Sequence, residues 1–527
     1  MLKRMFVAPD PGLLRLRSAT RSVLGIGLAV AVCGLTGHPL PALIAGGLAA
    51  LLALFTVTDP TVRGQAVTTA LLPVAGLPVL ALAAGLHDHP LARDTAFLAV
   101  AAAGVYARRW GPRGHALGVF AFMSFFAAQF LHTVPGQLPE LCSALLLALV
   151  ASSGVRFGAW CYERGSVPPA APAPPGGPGL ARTTTRQAVQ VAVAGVLALA
   201  VGQLLSQDRW YWAVGAVWWI FVNTASRGET LVRGFRRMLG TVAGIGVGLL
   251  VAVPLHGAAA PTAVLVALCV FGIFYSAPVS YTWMMLAVTV MAGLLYGLLG
   301  VLDPGLLALR LAETGVGAVA AALAVLIVLP VTTHATTDAW IQRALRCVHA
   351  CAAEASDRLA GSRTADPAPR VAELEVLLGR VRLSLAPLVH PLSPSRTRKE
   401  KARRVLALLD DCAREVRGLA SVAADPEASH DERLAAACRR VEAAVEALTT
   451  PGKARDAGAA ATAAGAPSVV RPSGAAARAV ATGAPAAPVA RRPVAEPALA
   501  HLHGLERSLT ELSAPLRSSR RSPLVGA

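Results

Sequence analysis

The sequence predicts an all-α, polytopic membrane protein. About twelve transmembrane helices form two parallel six-helix repeats, followed by a C-terminal cytoplasmic helical region. Three observations predict it. Hydrophobic residues make up 55% of the 527 positions and the mean hydropathy is +0.56, more apolar than a water-soluble domain requires. Over the first 330 residues the charges fall between apolar runs. The basic residues of those intervals gather in alternate ones, as expected when cytoplasmic loops collect Lys and Arg.

A helix needs roughly 20 apolar residues to cross a hydrocarbon core about 30 Å thick. Candidate runs lie near 20–36, 41–58, 66–86, 92–106, 115–132 and 138–157. A Pro/Gly/Ala linker at 167–181 separates them from runs near 187–205, 210–226, 238–256, 261–276, 282–300 and 306–329. Lys3, Arg4, Arg15, Arg17 and Arg21 ahead of an apolar run have the form of a secretion signal. A second apolar run follows at once, so an uncleaved first span is expected.

With the N-terminus inside, those five residues and Arg63, Arg108, Arg109, Arg113, Arg156, Arg164, Arg182, Arg186, Arg227, Arg233, Arg236 and Arg237 are cytoplasmic. Only Arg93, Arg209 and Arg310 are then outside, a split of 17 to 3. It predicts a multi-pass protein of the inner cell membrane with both termini cytoplasmic.

The two halves look like copies. Arg17-Ser-Ala-Thr-Arg21 parallels Arg182-Thr-Thr-Thr-Arg186, and Arg63-Gly64-Gln65 parallels Arg227-Gly228-Glu229, at offsets of 165 and 164. Six spans per half is an even number, so the copies, 1–166 and 182–330, share one orientation. The fourth and tenth spans are short, and Pro73 and Pro78 interrupt the third. Such features either mark a binding site at the repeat interface or are ordinary kinks.

From residue 331 the pattern changes to amphipathic. Helical spacing over 335–361, 370–388, 398–424 and 429–449 predicts a cytoplasmic bundle spanning 331–450. Residues 451–527 read as a mostly disordered tail, since 451–499 are largely Ala, Gly and Pro; a short helix at 500–516 is expected near its end. The basic run Arg396–Arg404 either touches anionic lipid headgroups or forms a solvated helix face.

Composition also narrows function. The net charge is +18, but the apolar front half argues against a nucleic-acid partner. The eight cysteines show no disulfide framework. Cys347 and Cys351 are one turn apart but lack a second ligand pair, so no metal is expected. No phosphate-binding G-x-x-x-x-G-K-[ST], H-E-x-x-H or G-x-S-x-G occurs, so neither a cofactor nor an enzymatic role is expected.

The candidate chemistry centres on Trp210–Gly244. An aromatic entry (Trp210, Tyr211, Trp212) leads through an apolar run to a charged turn holding Arg227, Glu229, Arg233, Arg236 and Arg237. Arg233, Arg236 and Arg237, with a positive helix end at Met238–Thr241, would draw an anion from the cytoplasm; alternatively they only orient the protein. Gly240, Gly244 and Gly248 recur every fourth residue and would let another helix approach. Trp218 and Trp219 either stack on an aromatic ligand or pack. Arg310 and Glu313 lie at membrane depth, where ionisable groups are costly. They either line a substrate or proton path, or form an i,i+3 pair at the outer interface with Arg310 snorkelling.

These residues together resemble the fusaric acid resistance protein-like family, related to aromatic acid exporters. The resemblance rests on the Trp210-Tyr211-Trp212 entry and the Arg-rich turn. It also rests on Arg237-Met-Leu-Gly240-Thr241-Val-Ala-Gly244 and Arg310-Leu-Ala-Glu313-Thr314, and it covers about 182–330. It implies efflux of aromatic or other organic acids, a homodimer and a helical cytoplasmic region. The first half lacks the Trp-Tyr-Trp entry and the Gly-Thr turn. The partners expected are thus membrane lipid, an organic anion and a second copy. The rival functions are a non-transporting scaffold for the cytoplasmic bundle, a membrane enzyme acting on lipid-linked substrates, and an anion channel.

Overall fold

The computed structural model describes residues 13–160, 179–255, 258–331, 333–360, 362, 364–389, 396–423, 432–449 and 495–521. The regular elements among them are all helices, in two compact units, Met1–Thr336 and Thr337–Ala527. Most of the expected linker and of the expected disordered tail lies outside the described residues.

Among the described residues of the first unit, twelve α-helices overlap the twelve predicted runs. They are α1 (Leu14–Leu35), α2 (Leu40–Thr56), α3 (Val62–Gly85), α4 (Pro90–Ala107), α5 (Gly111–Phe130) and α6 (Leu138–Trp160). After the linker come α7 (Thr183–Leu205), α8 (Tyr211–Phe221), α9 (Arg227–Leu255), α10 (Ala259–Ser276), α11 (Tyr281–Leu298) and α12 (Pro304–Ile327). Among the described residues eight helices are long and apolar enough to cross a membrane: α1, α3, α6, α7 and α9 to α12. The α2 and α8 helices are apolar but shorter. Arg93 and Asp94 dilute the apolar character of α4, as Arg113 and His115 dilute that of α5.

Three expectations need correction. Residues 227–237 are not a turn but the first three turns of α9. The start is fixed by Ser226, whose Oγ accepts from the Glu229 amide (3.4 Å), while the Glu229 carboxylate accepts from the Ala225 amide (2.8 Å). Ser-x-x-Glu is a capping-box spacing, here reaching one residue further back than usual. Met238–Thr241 therefore lies inside a helix and offers no free amide end to an anion. Second, α3 runs unbroken through Pro73 and Pro78. Third, the shortest helices at matching places in the two halves are α2, with 17 residues, and α8, with 11, rather than the fourth and tenth.

The C-terminal ends of those two helices are held from outside. Arg156 on α6 donates to the carbonyls of Val57 (2.9 Å) and Ala53 (2.6 Å). Arg108 donates to Phe221 O (3.1 Å) and Thr224 O (3.1 Å), and Gln187 Nε2 donates to Thr224 O (2.7 Å). Helix-end carbonyls have no intrahelical partner, and in lipid each unsatisfied one costs several kcal/mol. A guanidinium also suits the negative end of the helix dipole.

The helix pairs of the first half reappear six helices later. The α1–α2, α1–α6, α2–α6, α3–α5 and α4–α5 contacts match α7–α8, α7–α12, α8–α12, α9–α11 and α10–α11. Across the halves α4 packs on α7, and α10 packs on α1. The joint core is aromatic: Phe97, Phe120, Phe122 and Phe125 are buried, and Trp218 stacks on Phe122 at 4.2 Å.

The second unit contains α13 (Thr333–Leu359, its first turn in the first unit), α14 (Ala368–Val389), α15 (Arg396–Ala423), α16 (Glu432–Thr449) and α17 (Ala495–Arg521). The terminal helix is longer than the expected 500–516. Its Ala498, Leu502, Leu505, Leu509 and Leu512 are fully buried. Their spacing alternates four and three, a heptad stripe, and it seats α17 against α15 and α16. Cys347 and Cys351 are buried in this unit, where the Cys347 thiol donates to Arg370 O (3.4 Å).

Candidate functional site

The site is built where α8, α9, α11 and α12 meet. Asp303 caps α12 by accepting from the Gly305 amide (2.7 Å), with Pro304 in the first turn. Arg310 then lies six residues into α12, about 9 Å along it at 1.5 Å per residue. Its side chain does not snorkel: it is 5% exposed, and its guanidinium lies over the Trp212 ring at 4.0 Å. Glu313 is fully buried, and neither carboxylate oxygen has a hydrogen-bond partner. Arg310 Nη1 is unpartnered as well. Of the two readings of these residues, the i,i+3 pair with Arg310 snorkelling is therefore not formed. The stack on Trp212 takes the guanidinium instead, and a desolvated cation over an indole is worth about 2 kcal/mol.

The α9 helix supplies the other arginines. Arg233 and Arg237 are four residues apart and share a face, and Tyr281 at the start of α11 serves both. Arg233 lies over the Tyr281 ring at 3.9 Å and donates through Nε to Trp219 O (3.1 Å). Arg237, 5% exposed, donates to the Tyr281 hydroxyl (3.3 Å) and to Met285 Sδ (3.5 Å), and its Nε has no partner. Thr241, one turn on, is buried on that face. Arg236 is half-buried and lies one position round the helix, off it.

Glycine brings the two helices together. A Cβ on Gly240 would stand 2.6 Å from Thr282 O, and one on Gly244 2.6 Å from Thr289 Cβ. Gly248 has only a 3.8 Å neighbour and is not required for the contact. The close approach sets Tyr281 and Met285 beneath Arg237.

Tyr296, four turns along α11 from Tyr281, continues the lining. Arg209 lies 5.7 Å over its ring, and the hydroxyls of Tyr296 and Tyr211 are buried within reach of the Arg310 guanidinium. Glu313 lies within electrostatic reach of Arg310, Arg209, Tyr211 and Tyr296, and Arg310 within reach of Arg237. Arg233, Arg237, Arg310 and Arg209 thus form a column, three of its members on an aromatic ring. Such a column can hold a carboxylate at guanidinium groups and a ring against aromatic faces, and Glu313 can hold a proton.

Of the sequence-predicted residues, Arg233, Arg237, Thr241, Arg310 and Glu313 come together. Trp218 faces the first half: besides stacking on Phe122 it donates to Ala101 O (3.2 Å), and it is fully buried. Trp219 meets it edge-on at 5.4 Å. The sequence reading missed Tyr281 and Tyr296, whose signal is that they are the hydroxyl-bearing aromatics of the eleventh span. It treated Trp212 and Tyr211 only as interface aromatics. Among the described residues no group of three His, Cys, Asp or Glu is placed to hold a metal.

No curated protein matches the chain. Residues 197–324, from the middle of α7 into α12, match the family model described as Fusaric acid resistance protein-like. That segment contains the whole arginine column and Glu313. The protein is thus a helical membrane protein, and its residues 197–324 are similar to the fusaric acid resistance protein-like family.

Proposed function

We propose that the protein is an inner-membrane efflux transporter for organic, chiefly aromatic, carboxylic acids. Its chain crosses the bilayer twelve times as two like-oriented sets of six, with both ends cytoplasmic, and it works as a homodimer. The recurring helix pairs and the shared short helices α2 and α8 support two parallel repeats. The resistance named in the family description and the apolar spans support a membrane export role.

The observation that carries the reading is the arginine column beside aromatic rings, with Arg237 and Arg310 buried and Arg233 and Arg209 half-buried. Arg237 lies ten residues into α9, about 15 Å from the cytoplasmic end, and Arg310 about 9 Å from the opposite end of α12. Together they lead from one face to the other. Arg233, Arg237 and Arg310 outnumber Glu229 and Glu313 there, so an anionic cargo supplies missing counter-charge. A lone buried charge costs several kcal/mol, which favours binding such a cargo. The rings of Trp212, Tyr281 and Tyr296 suit an aromatic acid better than an inorganic anion.

Cells expressing the wild type, Arg237→Ala or Arg310→Ala and loaded with labelled benzoate test this. Both variants are expected to lose most efflux at unchanged membrane abundance, and equal efflux by all three would remove the role. A growth-inhibition panel of weak acids gives the substrate range. A scaffold reading has one observation in its favour, the separate core of the second unit. Truncation after Thr336 separates the two, because a transporter keeps flux and a scaffold loses its function. A channel would pass benzoate current with no coupled ion.

A further inference from the structure

Glu313 is the acidic group buried beside Arg310, and the transport reading leaves it without a task. Every group facing it can be named. Arg310 precedes it on α12, Tyr211 lies on α8, Arg209 just before α8, and Tyr296 on α11. The α7 and α9 helices also pack on α12: α7 carries no titratable residue after Arg186, and α9 brings Arg237 within reach of Arg310, with Arg227, Glu229, Arg233 and Arg236 nearer its start. Arginines stay charged and phenols stay neutral near neutrality. Among the described residues facing this point, Glu313 is the one carboxylic acid, with Asp208 and His132 lying beyond Arg209. It is fully buried with both oxygens unpartnered, and the neighbouring Arg310 Nη1 is unpartnered too.

We propose that Glu313 is a proton-operated gate on the anion site, so that a carboxylate binds at Arg310 together with a proton on Glu313. The proposal rests on the transport reading above. While Glu313 is ionised its charge lies within electrostatic reach of Arg310 and opposes an incoming carboxylate at that guanidinium. A proton on Glu313 removes that charge and leaves Nη1 open to the cargo. Linkage makes the effect mutual: the proton strengthens anion binding, and the anion strengthens proton binding by the same factor. The physiological sense follows from weak-acid chemistry. Acids that enter as neutral molecules and ionise inside release protons there, so the stress that delivers the anion also raises its affinity.

The test uses purified full-length protein in detergent, with benzoate as ligand. Calorimetric titration in two buffers of different ionisation enthalpy counts the protons taken up on binding. Wild type is expected to take up a substantial fraction of one proton per benzoate near neutral pH. Its affinity should rise about tenfold on acidification, within the 5–150-fold range of ordinary coupling. Glu313→Gln, which mimics the protonated form, is expected to bind at the wild type's acid-pH affinity throughout, with no proton uptake. Benzoate binding without proton uptake by the wild type overturns the gate and leaves the transport reading standing. Uptake that persists in Glu313→Gln also overturns it. Failure of the wild type to bind benzoate overturns both. The wild-type proton count decides the question even where the variant does not fold.

Discussion

At the scale of single residues, Arg310 shows what an arginine does in a membrane when an indole is within reach. Trp212 offers it a face at 4.0 Å, and it forgoes the aqueous interface. Replacing Trp212 with Leu keeps the volume apolar but removes the π face. Benzoate affinity is expected to fall about 5- to 30-fold, equivalent to about 1–2 kcal/mol of lost cation–π energy, measurable by calorimetric titration. Arg310→Lys keeps the charge but not the planar fork, and it is expected to behave like Arg310→Ala in efflux. Arg310 and Glu313 were legible in the sequence because charges inside an apolar span are conspicuous. Their partners were not, because Trp212, Tyr211 and Tyr296 come from helices up to about a hundred positions away, and spacing along one helix says nothing about which rings a neighbour presents.

At the scale of elements, α9 explains both a success and an error. Gly240 and Gly244 read as a close-packing seam, and the seam is there, against α11. The same segment looked like a turn because its charges are dense. The Ser226-x-x-Glu229 signal, which places the helix start before them, went unread. Ser226→Ala is expected to cost about 1 kcal/mol, and Gly244→Leu about 1–3 kcal/mol or more through overpacking, read as a lowered melting temperature in detergent. The length of α8 was not legible for another reason. Its end at Phe221 is fixed by Arg108 and Gln187 reaching in from other helices. Arg108 entered the sequence analysis only as a topological charge. Arg108→Ala is therefore expected to destabilise the second half while leaving the column residues intact, seen as a lower melting temperature with unchanged benzoate affinity in the folded fraction.

At the scale of the molecule, the two units solve different problems with the same element. In the first, apolar residues such as Leu250, Leu268 and Val319 stay exposed on helices long and apolar enough to cross a membrane, where lipid would cover them. In the second, the apolar stripes of α15 and α16 must find a partner within the unit, and α17 supplies it with a seven-residue repeat that a short-window reading compressed to 500–516. Arg433 with Glu496 (3.1 Å) and Arg440 with Glu506 (3.0 Å) fix its register, but both pairs are half-exposed, and such pairs contribute at most about 1 kcal/mol each. The buried leucines therefore decide. Removing residues 495–527 strips that stripe from the bundle, and each Leu lost from a core is worth about 2–5 kcal/mol, several of them together exceeding the usual margin of a small domain. Cys412 on α15 reports the outcome: it is fully buried, and burial pushes its thiol up to about 12. In a variant keeping Cys412 as its only cysteine, maleimide at mildly alkaline pH should leave the full chain unlabelled and label the truncated chain quickly. Equal protection in both would mean that α13 to α16 close the core without α17.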